Sequence, residues 1–199
     1  MKSILAVQWI NDYCSQAKYI VKADDDIFLN IFAAIEYLVS QIYEKDYAIM
    51  CHLKEADTSP IMRDPKSKWY VPKEVFEGRK HYPRFCSGYA VIFTANLVPF
   101  LYKASFDAPY FAVDDAYLFG LLLGKVPDVN YISIQDYMTL NQNSALEEYE
   151  GTGPLVHVAS AAWEEGAMAK FWAKTLSKLT SWAKQHAKIT NKKALDRKK

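Results

Sequence analysis

The sequence predicts an α/β layered fold with a mainly parallel sheet. Short, apolar, β-favouring runs alternate with apolar segments of helical length along most of the chain, the pattern of strands linked through helices. The sharpest polar cluster, Asp24-Asp25-Asp26, follows one of those short runs directly, and in open α/β sheets ligands sit at the carboxyl ends of strands. With 199 residues, 51% of them hydrophobic, the chain is long enough for one sizeable core.

Taken in order, Ser3 is placed to cap a helix carrying Ile4, Leu5, Val7, Trp9 and Ile10. Tyr19-Ile20-Val21 reads as a buried strand ending at the three aspartates. Asn30 opens an apolar segment, Ile31 to Tyr43, whose length favours helix, and Tyr47 to Leu53 reads as the next strand. Residues 54–68, with Pro60 and Pro65, form a loop; Trp69-Tyr70-Val71 is a short strand candidate, and 77–88 is irregular. Tyr89 to Thr94 is a strand, followed by a helix from Asn96 to Ser105 with Pro99 in its first turn. Asp114-Asp115 introduces a helix, Tyr117 to Leu123, closed by Gly124. Val129 to Ile134 is a strand, 141–154 a loop, and Leu155 to Val158 a short strand. The predicted organisation is a core over 1–165, a basic amphipathic helix over 166–188 and a disordered basic tail over 189–199.

The formal charge of +1 hides an uneven distribution. From Gly166 onward there are ten Lys/Arg and one acid, Asp196, while residues 1–165 hold 14 bases against 22 acids. An acidic core argues against nucleic acid as a partner. No apolar window is long enough to span a bilayer. Aromatic residues reach 15%, which suits a carbohydrate-handling surface and equally a well-filled core. The terminal helix sets Met168, Phe171, Trp172, Leu176, Leu179 and Trp182 at helical spacing; such a helix lies on a membrane surface or packs on its own domain. Cys14, Cys51 and Cys86 lack metal-ligand spacing, and an odd count allows one disulfide at most, of undeducible pairing, or three buried thiols.

Three adjacent carboxylates repel one another unless a cation is present. Mn²⁺ and Mg²⁺ take carboxylate oxygens, and Mg²⁺ shares them with substrate phosphates, so a strand-terminal Asp-x-Asp suits a metal held against a diphosphate. The alternative is a solvated acidic turn with an aspartate capping a helix. His157, in Leu155-Val156-His157-Val158, is either a further metal ligand or a satisfied core histidine.

The segment Ala17 to Asn30 resembles the surroundings of the Asp-x-Asp motif in the β-1,3-galactosyl/N-acetylglucosaminyltransferase family (glycosyltransferase family 31), and Gln8-Trp9-Ile10 with Cys14 resembles that family's approach to the motif. Lys68-Trp69-Tyr70-Val71 followed by Tyr82-Pro83-Arg84-Phe85-Cys86-Ser87-Gly88 is similar to its second block, and Phe111 to Gly120, with Asp114-Asp115, to its third. The resemblance covers roughly residues 3–135.

It implies a nucleotide-sugar-binding fold of the GT-A type, incomplete at its N-terminus because the opening strands and the membrane anchor of a Golgi enzyme with a lumenal catalytic domain are expected upstream of Met1. The implied reaction transfers galactose or N-acetylglucosamine from UDP-galactose or UDP-N-acetylglucosamine to the 3-hydroxyl of a glycan on a glycoprotein or glycolipid, with inversion. Carried onto this chain, Asp24 and Asp26 ligate Mn²⁺ (or Mg²⁺) with His157 as a candidate third ligand, Asp24, Asp25 and Asp26 contact the donor, and Asp115 is the general base. Trp69, Ser87, Gly88 and Asp114 are acceptor-side candidates. The chain departs from the family in three places: Asp114 stands for Glu, Gly120 arrives one residue late, and Tyr89-Ala90 follows Gly88 where many members have two glycines. The competing reading is a non-catalytic sugar- or partner-binding remnant of such an enzyme.

Overall fold

The computed structural model describes residues 2–35, 39–141, 145–151, 158–160 and 165–179. Helix α1 (Lys2–Tyr13) leads into β1 (Tyr19–Ala23), β2 (Ile27–Leu29) and the helical turn α2 (Ile31–Ala33). β3 (Ala48–Lys54) and β4 (Phe85–Thr94) follow, then α3 (Val98–Ala104), α4 (Asp114–Ala116) and β5 (Asn130–Ser133). The remainder is β6 (Met138–Thr139), α5 (Ala145–Gly151), β7 (Val158–Ser160) and α6 over residues 167–179.

The main sheet has the order β1-β4-β3-β5. β3 and β5 are parallel, but β4 lies antiparallel between β1 and β3, so the sheet is mixed and the expected mainly parallel arrangement is corrected. The cause lies in residues 55–84. A parallel return needs a crossover, usually a helix, and this stretch is irregular, so the chain comes back in the opposite sense. The three strands β1, β3 and β5 still share a direction, and their carboxyl ends fall together beside the start of β4.

Arg63 organises that long connection. Its guanidinium donates to the carbonyls of Val71 (3.0 Å), Pro72 (2.5 Å), Val75 (3.0 Å) and Phe76 (3.3 Å). Gathering those carbonyls around one cation holds the segment in turns, and the strand expected at Trp69-Tyr70-Val71 does not form; Val71, Val75 and Tyr82 are buried beneath it.

One face of the sheet, with Ile49, Cys51, Val91 and Phe93, packs against Val7 of α1, Leu101 of α3 and Phe119 and Leu122 beyond α4. The other face, with Ala48, Met50, Ala90 and Ile92, is covered by Ala34 and Ile42. Of the helix expected over Ile31–Tyr43, the described residues show α2, helical winding through 35 and a 3₁₀ turn, Val39–Gln41, while 36–38 lie outside them. Asn30 caps α2, accepting from the Ala33 N–H at 3.2 Å.

A second, three-stranded sheet has the order β2-β7-β6. Phe28 of β2 stacks on Phe171 of α6 (5.0 Å between centroids) and meets Tyr149 of α5 edge-on (5.5 Å). The Tyr149 hydroxyl shares a 2.6 Å hydrogen bond with Thr175, and Lys178 donates to the Tyr149 carbonyl at 2.7 Å. α6 therefore packs on the domain through Ala167 and Phe171. α5 stands within the expected 141–154 loop: Leu146 and Tyr149 have a hydrophobic cluster to join, which local polarity did not reveal. The expected basic tail, His157 and the part of the terminal helix after residue 179 lie outside the described residues.

Ser3 does not cap α1, which already includes Lys2; its hydroxyl donates instead to Asp114. The disulfide joins Cys51 of β3 to Cys86 of β4, with Cα atoms 5.6 Å apart, and Cys14 is free. Cys51 and Cys86 are 35 residues apart, so the bond closes a loop long enough to constrain the unfolded chain by about 3–4 kcal/mol in the chain-entropy account. Replacing both cysteines with alanine is expected to lower the unfolding free energy by about that amount, read from the shift of the urea midpoint under oxidising conditions. Equal midpoints would show that the bond does not constrain this fold.

Candidate active site

The acidic turn leaves the carboxyl end of β1 and crosses to β2, so it joins the two sheets. Asp24, Asp25 and Asp26 are all exposed. The turn is fixed at the backbone: the Asp24 N–H donates to the Tyr89 carbonyl of β4, and the Ile27 N–H to the Asp24 carbonyl, each at 3.2 Å. Ile27 and Phe28 immediately after it are buried, which anchors its far side.

The functional groups meet at Gly88. The Lys22 ammonium donates to the Gly88 carbonyl at 2.8 Å and to the Asp24 carboxylate at 2.5 Å. The Gly88 N–H donates to Asp115 at 3.2 Å, and the Ala116 N–H donates to the other oxygen of Asp115 at 2.8 Å. A Cβ on Gly88 would lie 2.8 Å from the Lys22 nitrogen and 3.5 Å from both an Asp24 oxygen and the Asp115 Cβ. A side chain here would sit at ordinary contact distance from Asp24 and Asp115 but would push the Lys22 ammonium from its present position. The structure thus brings Asp24, Gly88 and Asp115 to one junction at the strand ends, with Lys22, which sequence reasoning missed. Its signal was available: at two residues before Asp24, a strand residue lies on the same side as the first aspartate.

Asp115 sits at the start of α4 and is half-buried. Burial raises its carboxyl above the ordinary range, against the opposing pull of the Ala116 and Gly88 N–H groups and the Lys22 charge. Burial, with the Asp115 charge second, likewise raises the Tyr82 phenol. A carboxylate held in this way is a proton acceptor poised closer to neutral pH than an exposed aspartate.

The other candidates have different surroundings. Asp114 receives the Ser3 hydroxyl, tying α4 to α1. Ser87 is buried within β4, opposite His52. Trp69 is 55% exposed, with Lys68 lying 4.3 Å over its ring and its backbone N–H donating to the Ser67 hydroxyl. His157 lies outside the described residues. His52 of β3 stacks on Tyr89 with its Nδ1 buried and unpartnered, and burial, then the Lys54 charge, lowers its pKa.

Among the described residues no three His, Cys, Asp or Glu side chains converge to hold a metal. Asp24 and Asp26 offer hard oxygen donors on one exposed turn, a set that fits a divalent cation completed by phosphate and water oxygens rather than a cage made by protein alone. A cavity of about 670 Å³ opens at the opposite end of the sheet, lined by Cys14, Tyr19, Lys45, Thr94 and Asn96 among others. It holds none of the junction residues, and the concentration of charge at Gly88 is the stronger indication of chemistry.

The raised Asp115 pKa sets a sign for stability. Between its unfolded and folded pKa values the folded state binds the extra proton, so stability falls as pH rises through that window. Asp115→Asn, which mimics the neutral form, is expected to gain stability relative to the parent from about pH 4 upward and then level off. Urea unfolding of both proteins between pH 4 and 8 reads the gap; a gap widening in favour of the parent would show the carboxylate to be a stabilising charge instead.

The galactosyltransferase family model matches residues 1–135. Over 132 residues the chain is 34% identical to β-1,3-galactosyltransferase 1 of Mus musculus and of Homo sapiens, and over 128 residues 29% identical to β-1,3-galactosyltransferase 5 of Pan troglodytes. Each match takes in 63% of this chain, but only 37% of the length of the first two relatives and 41% of the third. Among the described residues no helix is long and apolar enough to cross a membrane.

Proposed function

The chain belongs to the galactosyltransferase family, and from that premise we propose that it carries the catalytic centre of an inverting, metal-dependent transferase moving galactose or N-acetylglucosamine from its UDP-sugar to the 3-hydroxyl of an acceptor glycan. The observation that carries this reading is the Gly88 junction. In it a carboxylate of raised pKa and the exposed acidic turn are tied to one peptide unit, Asp115 through the Gly88 N–H and Asp24 through the Lys22 ammonium on the Gly88 carbonyl.

In this reading Asp115 accepts the proton of the acceptor 3-hydroxyl as its oxygen attacks the anomeric carbon of the donor. The bond from that carbon to the UDP oxygen breaks, UDP leaves with the electron pair, and the configuration inverts. No covalent intermediate is needed. Asp24 and Asp26 would hold Mn²⁺ or Mg²⁺, which when bound neutralises charge on the diphosphate. Lys22 ties the Asp24 carboxylate to the Gly88 carbonyl of β4. The Cys51–Cys86 disulfide suits an oxidising compartment, in keeping with a Golgi lumenal enzyme acting on glycoproteins or glycolipids.

Transfer of labelled sugar from UDP-galactose and UDP-N-acetylglucosamine to β-galactoside and N-acetylglucosaminide acceptors tests the reading. Asp115→Asn is expected to lower the transfer rate by on the order of 10²–10⁴ with UDP–Mn²⁺ affinity little changed, whereas Asp26→Asn lowers affinity and turnover together. Parental rates in Asp115→Asn would remove Asp115 as the base. A parental protein that binds UDP–Mn²⁺ but transfers neither sugar would favour a non-catalytic binding remnant.

A further inference from the structure

The cavity of about 670 Å³ at the amino end of β1 is walled mainly by three chain segments, within residues 14–19, 42–46 and 94–99. Hydrogen bonds pin these segments to one another. The Ala95 N–H donates to the Lys18 carbonyl at 2.9 Å, and the Tyr19 hydroxyl to the Tyr43 carbonyl at 3.3 Å. The Asn96 side chain joins the remaining pair: its amide N–H donates to the Asp46 carboxylate at 2.8 Å, and its oxygen accepts the Tyr47 N–H at 3.2 Å. The walls are cross-tied rather than left to three independent loops, and the volume falls in the range of small-molecule sites.

Charge and exposed ring surface decide what fits there. Among the described lining residues the bases are Lys18 and Lys45, both exposed, and neither ammonium is in an ion pair. The one acid among them, Asp46, already has its carboxylate engaged by Asn96. The cavity therefore favours an anion. Tyr43 is 66% exposed and lines the same opening, with the half-buried Tyr19 bonded to its carbonyl. A pyranose presents C–H faces that match an exposed ring, and a carboxylate or sulfate on the sugar matches an ammonium. The site is separate from the Gly88 junction. Tyr19 pairs with Thr94, and both line the cavity, whereas Ala23 pairs with Ala90 at the other end of β1, about 13 Å along the strand. Taking the choice of a saccharide from the transferase reading above, we propose that this cavity is an anchoring site for an acidic glycan, holding a carboxylate- or sulfate-bearing sugar through Lys18 and Lys45.

Lactose, 3′-sulfolactose and 3′-sialyllactose share one disaccharide and differ in charge, and ligand-observed NMR titration of each with the full chain tests this without requiring turnover. At least one acidic sugar should bind about tenfold tighter than lactose. Binding by one acid alone assigns the site to carboxylate or to sulfate. Cys14, the free cysteine, lines the cavity, so its alkylation by iodoacetamide reports occupancy: the acidic sugar that binds should slow it, and lactose at the same concentration should not. Lys18→Gln combined with Lys45→Gln should lose the preference, and Lys18→Arg combined with Lys45→Arg should keep it. Equal binding of lactose and both acidic sugars by the parent, an unchanged preference in the glutamine variant, or a Cys14 that no acidic sugar protects overturns the proposal. The two readings fail separately. Asp115→Asn should lower transfer and leave Cys14 protection unchanged. A parent that protects Cys14 but transfers no sugar refutes only the transferase, and an active parent whose Cys14 stays unprotected refutes only the anchoring site.

Discussion

The structure of the site depends on one close approach, the meeting of Lys22, Asp24 and Asp115 around the main chain of Gly88. The glycine carbonyl takes the ammonium and its N–H takes the carboxylate, so a single peptide unit holds charges of both signs in place. An ion pair as exposed as Lys22–Asp24 adds little to stability; its effect is positional. The disulfide at Cys86 lies two residues away on the same strand. It locks β4 to β3 at the end where precision matters, and a site supported by strands is held more exactly than one carried on loops.

How much of this could be read from the sequence follows the range of the interactions involved. The acidic turn was legible because its signal is local: a β-favouring run stops at three aspartates. The paired acids at the head of α4 were legible for the same reason. The direction of β4 was not, since side-chain periodicity is the same in either sense and the decisive fact is what fills residues 55–84. Arg63 gathers four backbone carbonyls there, and no local propensity announces a guanidinium serving as the hub of a loop. The cysteine pairing, the Ser3–Asp114 link and the Phe28–Tyr149–Phe171 cluster are likewise contacts between distant segments. Lys22 is the instructive omission. A search for acids overlooks the cation that makes their crowding tolerable.

The late arrival of Gly120 has a structural counterpart. Beyond α4 the chain winds as a π-helix over Tyr117–Leu122, a form that takes up an extra residue by widening one turn. Gly120 still faces β4, where a Cβ would stand 3.0 Å from that of Phe85. The contact at Gly120 seats this helix on the sheet. Asp115, one turn earlier, keeps its bond to Gly88. In this chain the π-helix and the Gly88 junction stand together.

The acidic turn poses a last physical question, how three neighbouring carboxylates can be exposed and yet held still. Exposure lets water screen their repulsion, which lowers the cost of keeping them together. Rigidity comes from outside the turn. On one side β1 is paired with β4 from Tyr19 to Ala23; on the other, Phe28 is fully buried among Tyr149 and Phe171. Each sheet grips one end of three residues whose own side chains contribute no packing. A turn fixed in this manner keeps its backbone shape without help from its own side chains, and charges already in position stabilise an incoming ligand more than charges that must first be gathered. The second sheet, which carries no residue of the junction, thus contributes to the site by holding the far end of the turn.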